Sequence, residues 1–453
     1  MDNIFWIKDL DKNKVKEAGV KGAYLGELFN ADFSVPNGFV ISTSAMSDFF
    51  YGNNLQDKIN NLLKNVNLDD YQNVIETSKA IQNTILNENI ASTLQNDILE
   101  AYEDLNVNSE LRAAKLDVLN LIKSGRGNAI VSVRGSVNSD NLSFAGQQDS
   151  FLNIVGGKKL IEAMKKCWAS LYSPRAIYYI KTHNINNILS GVVVQKMIDS
   201  NKSGTIFTVN PINNNRDEIL IEAGIGLGKS ISDGSVRPDM YIVDKNTNDI
   251  KTKIINRQKT KVIRDVNNND TVKKKVYDDE HRETLSKGDV HELAKIALDI
   301  ENHYGKPMNI EFGIDKRAYI LQARGITTLN NEIRILDIAG DVILNGQGVS
   351  SGLGVGKVRV VRNNNSEFEN GDVLVAEFLD VDLLPFIKRS NGVVVNEGGS
   401  LSNGGIICRE LEVPLVINEN ATMELRNGLI VTVDGFNGRV FRGEARNKVD
   451  IIE

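Results

Sequence analysis

Between Gly346 and Phe441 the sequence is dense in glycine and keeps returning to one figure, a short apolar run. The runs are Gly356–Val361, Asp372–Val375, Gly392–Val395, Val413–Ile417, Leu429–Val433 and Gly438–Phe441. Each is too short for an average helix and of the right length for a strand. Six such strands with few helical stretches confine this part of the chain to a compact, β-rich α/β module of about 100 residues.

The rest of the chain has another texture. Residues 10 to 125 read as mainly helical, with apolar positions every three or four residues through Leu55–Leu63 and Val74–Ile85. From Ala129 the pattern turns to strand, and Ala129–Val133 ends at Arg134-Gly135-Ser136. The spacing of Leu160, Met164, Cys167 and Leu171 predicts a helix. Short β-rich runs follow at Gly191–Met197, Gly204–Val209, Glu218–Glu222 and Met240–Val243. Residues 245–280 are charged and alternate weakly, which suits a solvated hairpin better than a basic binding patch. Leu293, Ile296, Ala297, Ile300 and Tyr304 predict an amphipathic helix from about Asp289. Strand-like runs at Met308–Ile314 and Ala318–Ala323 precede a boundary at 326–342.

Charge and composition exclude some functions. Lys and Arg number 53 against 59 Asp and Glu, a net −6, which argues against general nucleic-acid binding. No apolar run approaches the roughly 18 residues of a membrane span. The N-terminal Met1-Asp2-Asn3-Ile4-Phe5-Trp6 has no basic region before an apolar stretch, so no signal peptide is expected. Cys167 and Cys408 are too few for a disulfide framework and suit a reducing, cytoplasmic setting. None of the four histidines has metal-ligand spacing, so no transition-metal site is expected.

Four segments could carry chemistry. Lys21, in Gly19-Val20-Lys21-Gly22, could bring a point charge to a phosphate, or be a surface lysine ahead of a helix. Arg134 ends a strand, and the small-residue loop Ser143–Ser150 follows it; such a loop can offer backbone N–H groups to an anion, or simply cross near the core. It is not a Walker loop. Glu311 lies in one strand-like run, and Gln322 and Arg324 lie in the next. If the runs pair, Glu311 can face the other two. A carboxylate and an amide oxygen can hold Mg²⁺ while the arginine neutralises phosphate. A salt bridge on a sheet face is the alternative. In the fourth segment, Gly398–Glu410, two glycine pairs bracket Ser402-Asn403 ahead of a helical pattern, a run that by itself reads as a plain turn.

In this order the segments resemble the phosphoenolpyruvate synthase and pyruvate phosphate dikinase family. The matching residues include Lys21-Gly22-Ala23, Val35–Phe39, Val133–Ser136, Ser143–Gln148 and Val194–Met197. They continue through Gly226-Leu227-Gly228, Pro238-Asp239, His303–Met308, Ile310-Glu311 and Leu321–Arg324 to the glycine run at 398–410. Rifampicin phosphotransferase is similar in the same segments. The resemblance implies an α/β (α+β) protein with a two-lobed ATP-grasp nucleotide-binding domain over 1–325, its lobes roughly 1–195 and 196–325. A linker at 326–342, a small swivelling β/β/α-type phosphohistidine-like domain at 343–445 and a tail at 446–453 would follow. In this family ATP gives its β-phosphoryl to a swivel histidine, AMP leaves, and the swivel carries the phosphoryl to an acceptor. By resemblance, Lys21, Arg134 and Arg324 would hold the phosphates. Gly146, Gln147 and Gln148 would line the phosphate loop, Gln195 would lie near adenine, and Glu311 and Gln322 would meet Mg²⁺.

The departures are informative. Asn403 stands at the family's phosphorylated histidine, and its delocalised amide nitrogen is no nucleophile at neutral pH. Asn309 replaces an acidic residue near the expected metal, and Lys229 a glutamate after Gly-Leu-Gly. Two explanations of Asn403 stand. It is a substitution made to trap the enzyme, the flanking Gly398-Gly399 and Arg409-Glu410 being intact, or a natural divergence, with which Asn309 and Lys229 agree. A (β/α)₈ barrel takes about 250 residues, more than follow Asn403, so the family's pyruvate-binding barrel is expected to be missing. The sequence therefore reads as an ATP- and Mg²⁺-dependent phosphotransferase whose acceptor is a small molecule or is supplied by a partner protein carrying the missing module. The alternative is a catalytically reduced, nucleotide-binding regulatory or partner subunit. An enzyme making phosphoenolpyruvate from pyruvate on its own is the least favoured reading.

Overall fold

Four buried residues, Gly38-Phe39-Val40-Ile41, form a strand inside the stretch expected to be helical. With both faces covered, such a run shows no alternation, and periodicity cannot tell it from part of a buried helix. The computed structural model describes residues 2–68, 70–105, 128–138, 148–182, 185, 188–277, 282–326, 338–362, 367–380 and 383–447. The chain divides into two units. Met1–Asp199, Ile263–Val272 and Arg317–Arg324 form the first; Ser200–Val262, Lys273–Lys316 and Gly325–Glu453 form the second.

The first unit is built on an antiparallel sheet. Its strands are β1 (Ile4–Trp6), β2 (Gly38–Ile41), β3 (Ile130–Val137), β4 (Ser150–Val155) and β5 (Ser190–Lys196), in the order β1-β2-β5-β3-β4. Among the described residues seven α-helices accompany it: α1 (Val15–Asn30), α2 (Thr43–Gly52), α3 (Leu55–Lys64), α4 (Tyr71–Asn87), α5 (Ser92–Asp104), α6 (Gly157–Ser170) and α7 (Pro174–Thr182). The helices expected at Leu55–Leu63, Val74–Ile85 and Leu160–Leu171 are α3, α4 and α6. Phe39, Val131, Val133 and Val194 of the sheet share one core with Ile81, Ile85, Leu160 and Met164 of the helices. Trp168 lies in that core with its indole N–H donated to the Ser190 carbonyl at 3.1 Å. That bond satisfies the polar edge that burial would leave bare.

Among the described residues the second unit holds two large sheets and one of two short strands. The first contains β6 (Lys202–Phe207), β7 (Glu218–Ile225), β8 (Asp239–Asp244) and β9 (Ile250–Ile254). β10 (Thr260–Arg264) and β11 (Thr271–Lys275) follow as the expected charged ribbon. α8 (Lys287–Tyr304) is the expected amphipathic helix. Ser286 and Asp289 close a capping box at its start, and Gly305, left-handed at φ 63°, ends it. β12 (Met308–Ile314) pairs antiparallel with β6, giving the order β12-β6-β7-β8-β9; β13 (Ala318–Gly325) follows in the chain.

Beyond it come β14 (Ile338–Ala339), β15 (Val342–Asn345), β16 (Gln347–Ser350), β17 (Leu353–Val360), β18 (Val373–Ala376), β19 (Gly392–Val395), β20 (Leu415–Ile417), β21 (Ile430–Asp434), β22 (Arg439–Arg442) and β23 (Arg446–Asn447). All six strands read from the sequence are present. β15 and β16 are additional, and lie where the sequence placed a linker and the start of the next module. Strands β15 to β22 form a sheet in the order β15-β22-β21-β17-β18-β19-β20-β16, with parallel pairing from β17 to β20. Leu374, Val393 and Val395 point into one apolar core, and Val373, Val375 and Val394 into another. Burial on both faces explains why these strands read as unbroken valine-rich runs. α9 (Asn403–Glu410) packs Ile407 and Cys408 into the first of those cores. The fold is mixed α/β, as expected.

Candidate functional site

In the first unit, Arg134 emerges from β3 with only 7% of its surface exposed. Its Nη2 donates to Gln195 Oε1 at 2.6 Å and to the Leu321 carbonyl of β13 at 2.7 Å. Gln195 is itself fixed, since its Nε2 donates to the Pro36 carbonyl at 3.0 Å. The guanidinium is thus oriented by a buried amide that is held from its far end. Both Arg134 and Gln195 were singled out from the sequence; their direct bond was not foreseen.

Lys21 reaches the same strand by a glycine device. α1 is kinked at Gly19, where φ is 70° and ψ 170°. A Cβ there would lie 1.9 Å from the Ser136 carbonyl oxygen, so only glycine permits the approach. Gly22 N–H then donates to Ser136 Oγ at 3.1 Å. Lys21, between these two contacts and already inside the helix, is pinned near the end of β3. Its charge is felt by the buried Cys167 thiol: burial pushes the thiol up, while Lys21 and, more weakly, Arg134 pull it back. Gln148 folds over Gly135, leaving no room for a Cβ there, and bonds Ser190 Oγ at 3.0 Å. Gly146 and Gln147 lie outside the described residues. Gln322, nearly buried, and the half-buried Arg324 sit on β13 beyond Leu321.

In the second unit, Glu311 lies on β12 directly opposite Thr205 of β6. Thr205 is in turn opposite Glu222 of β7, and Glu222 opposite Met240 of β8. Directly paired residues share a face, so Glu311, Thr205 and Glu222 form one cross-strand row. Two positions before Glu311, Asn309 also lies on that face, and its Oδ1 is buried without a hydrogen-bond partner. An uncharged oxygen donor beside a carboxylate is chemically suited to a hard cation such as Mg²⁺. Among the described residues no group of three or more His, Cys, Asp or Glu is placed to hold a metal ion.

Glu222 was not singled out from the sequence. It is fully buried, and it accepts from the Ser400 and Leu401 backbone N–H groups at 2.5 and 2.9 Å. Burial pushes its carboxyl up to about 7, against the pull of those two N–H groups and of Arg409. Arg409 is 5% exposed, donates Nη1 to the Val349 carbonyl at 3.0 Å, and stands 6.0 Å from the Phe207 ring centre. Its Nε and Nη2 have no hydrogen-bond partner. Burial brings Arg409 down to about 10, opposed first by the Glu222 charge. The only sequence signal for Glu222 was a carboxylate inside the apolar run Ile219–Ala223.

Asn403 is the first residue of α9, half-buried, directly after the N-cap Ser402. Ser402 Oγ accepts from Gly405 N at 3.2 Å and donates to the Gly399 carbonyl at 2.8 Å, bracing the turn. Lys229 is exposed at the start of a single helical turn. Asp239 of the Pro-Asp pair accepts from the Asn256 and Thr284 backbones at 2.9 and 2.8 Å, a tie within the unit.

The sequence model described as the pyruvate phosphate dikinase AMP/ATP-binding domain matches residues 15–335. The chain belongs to the pyruvate phosphate dikinase and phosphoenolpyruvate synthase family. A second model, the mobile domain of phosphoenolpyruvate-utilising enzymes, matches residues 368–438, which contain Asn403. A phosphoenolpyruvate synthase of Pyrococcus furiosus is 34% identical over 98% of this chain and 59% of its own length. A probable phosphoenolpyruvate synthase of Archaeoglobus fulgidus is 35% identical over 98% of this chain and 59% of its own. One from Methanothermobacter thermautotrophicus is 34% identical over 97% and 63%. The chain thus spans about three-fifths of the length of these dikinase-family relatives. No helix among the described residues is long and apolar enough to cross a membrane.

Proposed function

We propose that this chain binds ATP with Mg²⁺ and serves the β-phosphoryl transfer of a dikinase-type reaction, with the acceptor held elsewhere. The observation that carries the reading is the seat of the loop before Asn403. It rests on the same face of the β6–β9 and β12 sheet as Glu311, anchored through Glu222 in the Glu311 row. A carrier residue must reach the phosphates, and a loop seated on the Glu311 face supports giving that role to position 403.

In this reading the nucleotide-binding region is residues 1–325, in two lobes, and the carrier module is residues 343–445. Lys21, Arg134 and Arg324 neutralise phosphate charge. Arg134 does so from a fixed orientation, because Gln195 and the Leu321 carbonyl already hold its Nη2. Gly146, Gln147 and Gln148 are assigned to the phosphate loop, as the family resemblance implies. Glu311 and Gln322 are the proposed Mg²⁺ ligands, and the orphaned Asn309 oxygen fits the same role. Bound Mg²⁺ would supply charge neutralisation between phosphate oxygens. The acceptor is a small molecule held outside these two regions.

The amide of Asn403 cannot accept a phosphoryl group as an imidazole does. As it stands the chain then binds ATP without forming a carrier intermediate, which favours a second reading, a nucleotide-responsive partner or regulatory subunit. One experiment separates the two. The chain and its Asn403→His variant are incubated with Mg²⁺ and ATP labelled at the β position. AMP and acid-labile label on the variant, with none on the unaltered chain, supports the carrier reading. Tight ATP binding with no AMP from either protein supports the regulatory one and overturns the first.

A further inference from the structure

A carboxylate in the middle of a central strand is costly unless its oxygens are satisfied. Glu222 lies on β7, flanked on both sides by β6 and β8, and is fully buried. Its hydrogen bonds come from a loop nearly 180 positions away: each carboxylate oxygen takes one backbone N–H, of Ser400 or Leu401. The loop is shaped to this acceptor. A Cβ on Gly399 would stand 2.4 Å from Glu222 Oε2 and 2.9 Å from Pro238 Cγ, so glycine lets the chain settle on the carboxylate. Gln347 Nε2 holds Ser400 Oγ at 2.9 Å, and Ser402 ties back to Gly399. The braced turn therefore transmits the position of residues 400 and 401 to residue 403.

We infer that Glu222 is a positioning residue, a docking acceptor on the nucleotide-side sheet that seats the loop of residue 403 in the row of Glu311. The inference rests on the carrier reading for its purpose, though not for its geometry. Undocking exposes the carboxylate to water, which offsets the loss of two charge-assisted hydrogen bonds. That balance makes the dock reversible, as a module that visits a second site requires. Arg409 of α9 adds a buried cation whose charge favours the ionised carboxylate.

The test is amide hydrogen exchange in the full chain, resolved at residues 400 and 401, with Val393–Val395 of β19 as the reference. Glu222→Ala should speed exchange at both amides about tenfold or more and leave β19 unchanged. Glu222→Gln should split the pair, since a carboxamide offers one acceptor oxygen and one N–H, and a general structural role would not do this. Gly399→Ala should loosen the same two amides from the loop side without touching β7. Combined with Glu222→Ala it should add less than it does alone, because the missing carboxylate removes the closer clash and leaves only that with Pro238 Cγ. Unchanged exchange at 400 and 401 in Glu222→Ala would overturn the inference. So would loosening that extends equally into β19, or strictly additive effects in the double variant. Exchange is independent of phosphoryl transfer: failure of the Asn403→His chain to form AMP would remove the carrier reading and leave these outcomes as informative as before.

Discussion

Glu222 and Glu311 stand in one cross-strand row on the same sheet face, with Thr205 of β6 between them. Two strand spacings put their backbones roughly 10 Å apart. One carboxylate is the proposed metal ligand; the other takes the backbone of the loop leading to residue 403. The same face carries Phe207, against which Arg409 of α9 is set. A rigid sheet thus fixes the spacing between the proposed metal ligand and the seat of the loop before residue 403, which a flexible loop could not do as accurately.

The first prediction concerns Arg134. Its Nη2 serves two acceptors, and a lysine ammonium cannot reproduce that planar fork. Arg134→Lys should weaken ATP binding about 10- to 100-fold, the range expected from losing one or two charge-assisted hydrogen bonds. Gln195→Ala should weaken it less, because it frees the guanidinium without removing the charge. Calorimetric titration with ATP measures both, and unchanged affinity in Arg134→Lys would remove this residue from the site.

The second prediction concerns pH. Burial raises the Glu222 carboxyl to about 7, above the ordinary glutamate value, and Arg409 is the charged side chain acting on it. A group whose folded pKa is raised stabilises fully below its unfolded pKa, and that stability is lost as pH rises through the folded value. The stability of the native chain relative to Glu222→Gln should therefore fall between about pH 4.5 and 7 and level off above it. Converting that shift gives a change of about 3 kcal/mol. Urea unfolding of both proteins at several pH values measures the difference, and a flat difference would contradict the burial of an ionisable Glu222.

Much of this was legible in advance, for physical reasons. The helix at Lys287–Tyr304 declared itself because one face is apolar and Ser286, Asp289 and Gly305 mark its ends. The valine-rich strands β18 and β19 were legible because glycine and turns bound them. The strand at Gly38–Ile41 was hidden by burial on both faces. Strands β15 and β16 were hidden because Val342–Asn345 has exposed ends and Gln347–Ser350 holds a single apolar side chain, so neither shows a strand pattern. Lys21, Arg134 and Glu311 were candidates by residue type and local pattern, and Asn403 by the family resemblance. Glu222 was not, because its partners are far away in sequence and nothing in Ile219–Ala223 points to them.

The third prediction tests the glycine at the α1 kink. Gly19 combines a left-handed φ with a backbone approach that excludes any side chain. Gly19→Ala should cost about 2–4 kcal/mol, combining backbone strain with overpacking. It should also reduce ATP affinity, because Lys21 rides on the displaced helix. Gly22→Ala meets the softer Val40 side chain at 3.0 Å and should cost less. Urea unfolding ranks the two, and equal costs would show that the Ser136 contact is not the constraint.

The fourth prediction concerns the metal. Asn309 Oδ1 is buried and unpartnered two residues from Glu311, on the same face of β12. Asn309→Asp places a second carboxylate there. Without a cation the two like charges repel in a partly desolvated setting, and the variant should melt below the native chain. With Mg²⁺ the added charge becomes an added ligand, so the stabilisation on titrating Mg²⁺ should exceed that of the native chain. Glu311→Gln should reduce the Mg²⁺-dependent shift in both backgrounds. Thermal unfolding across a Mg²⁺ series reads all four proteins without depending on turnover. If Asn309→Asp responded to Mg²⁺ no more than the native chain, residue 309 would have no part in holding the cation. If Glu311→Gln kept the full response, the metal would have to be held elsewhere.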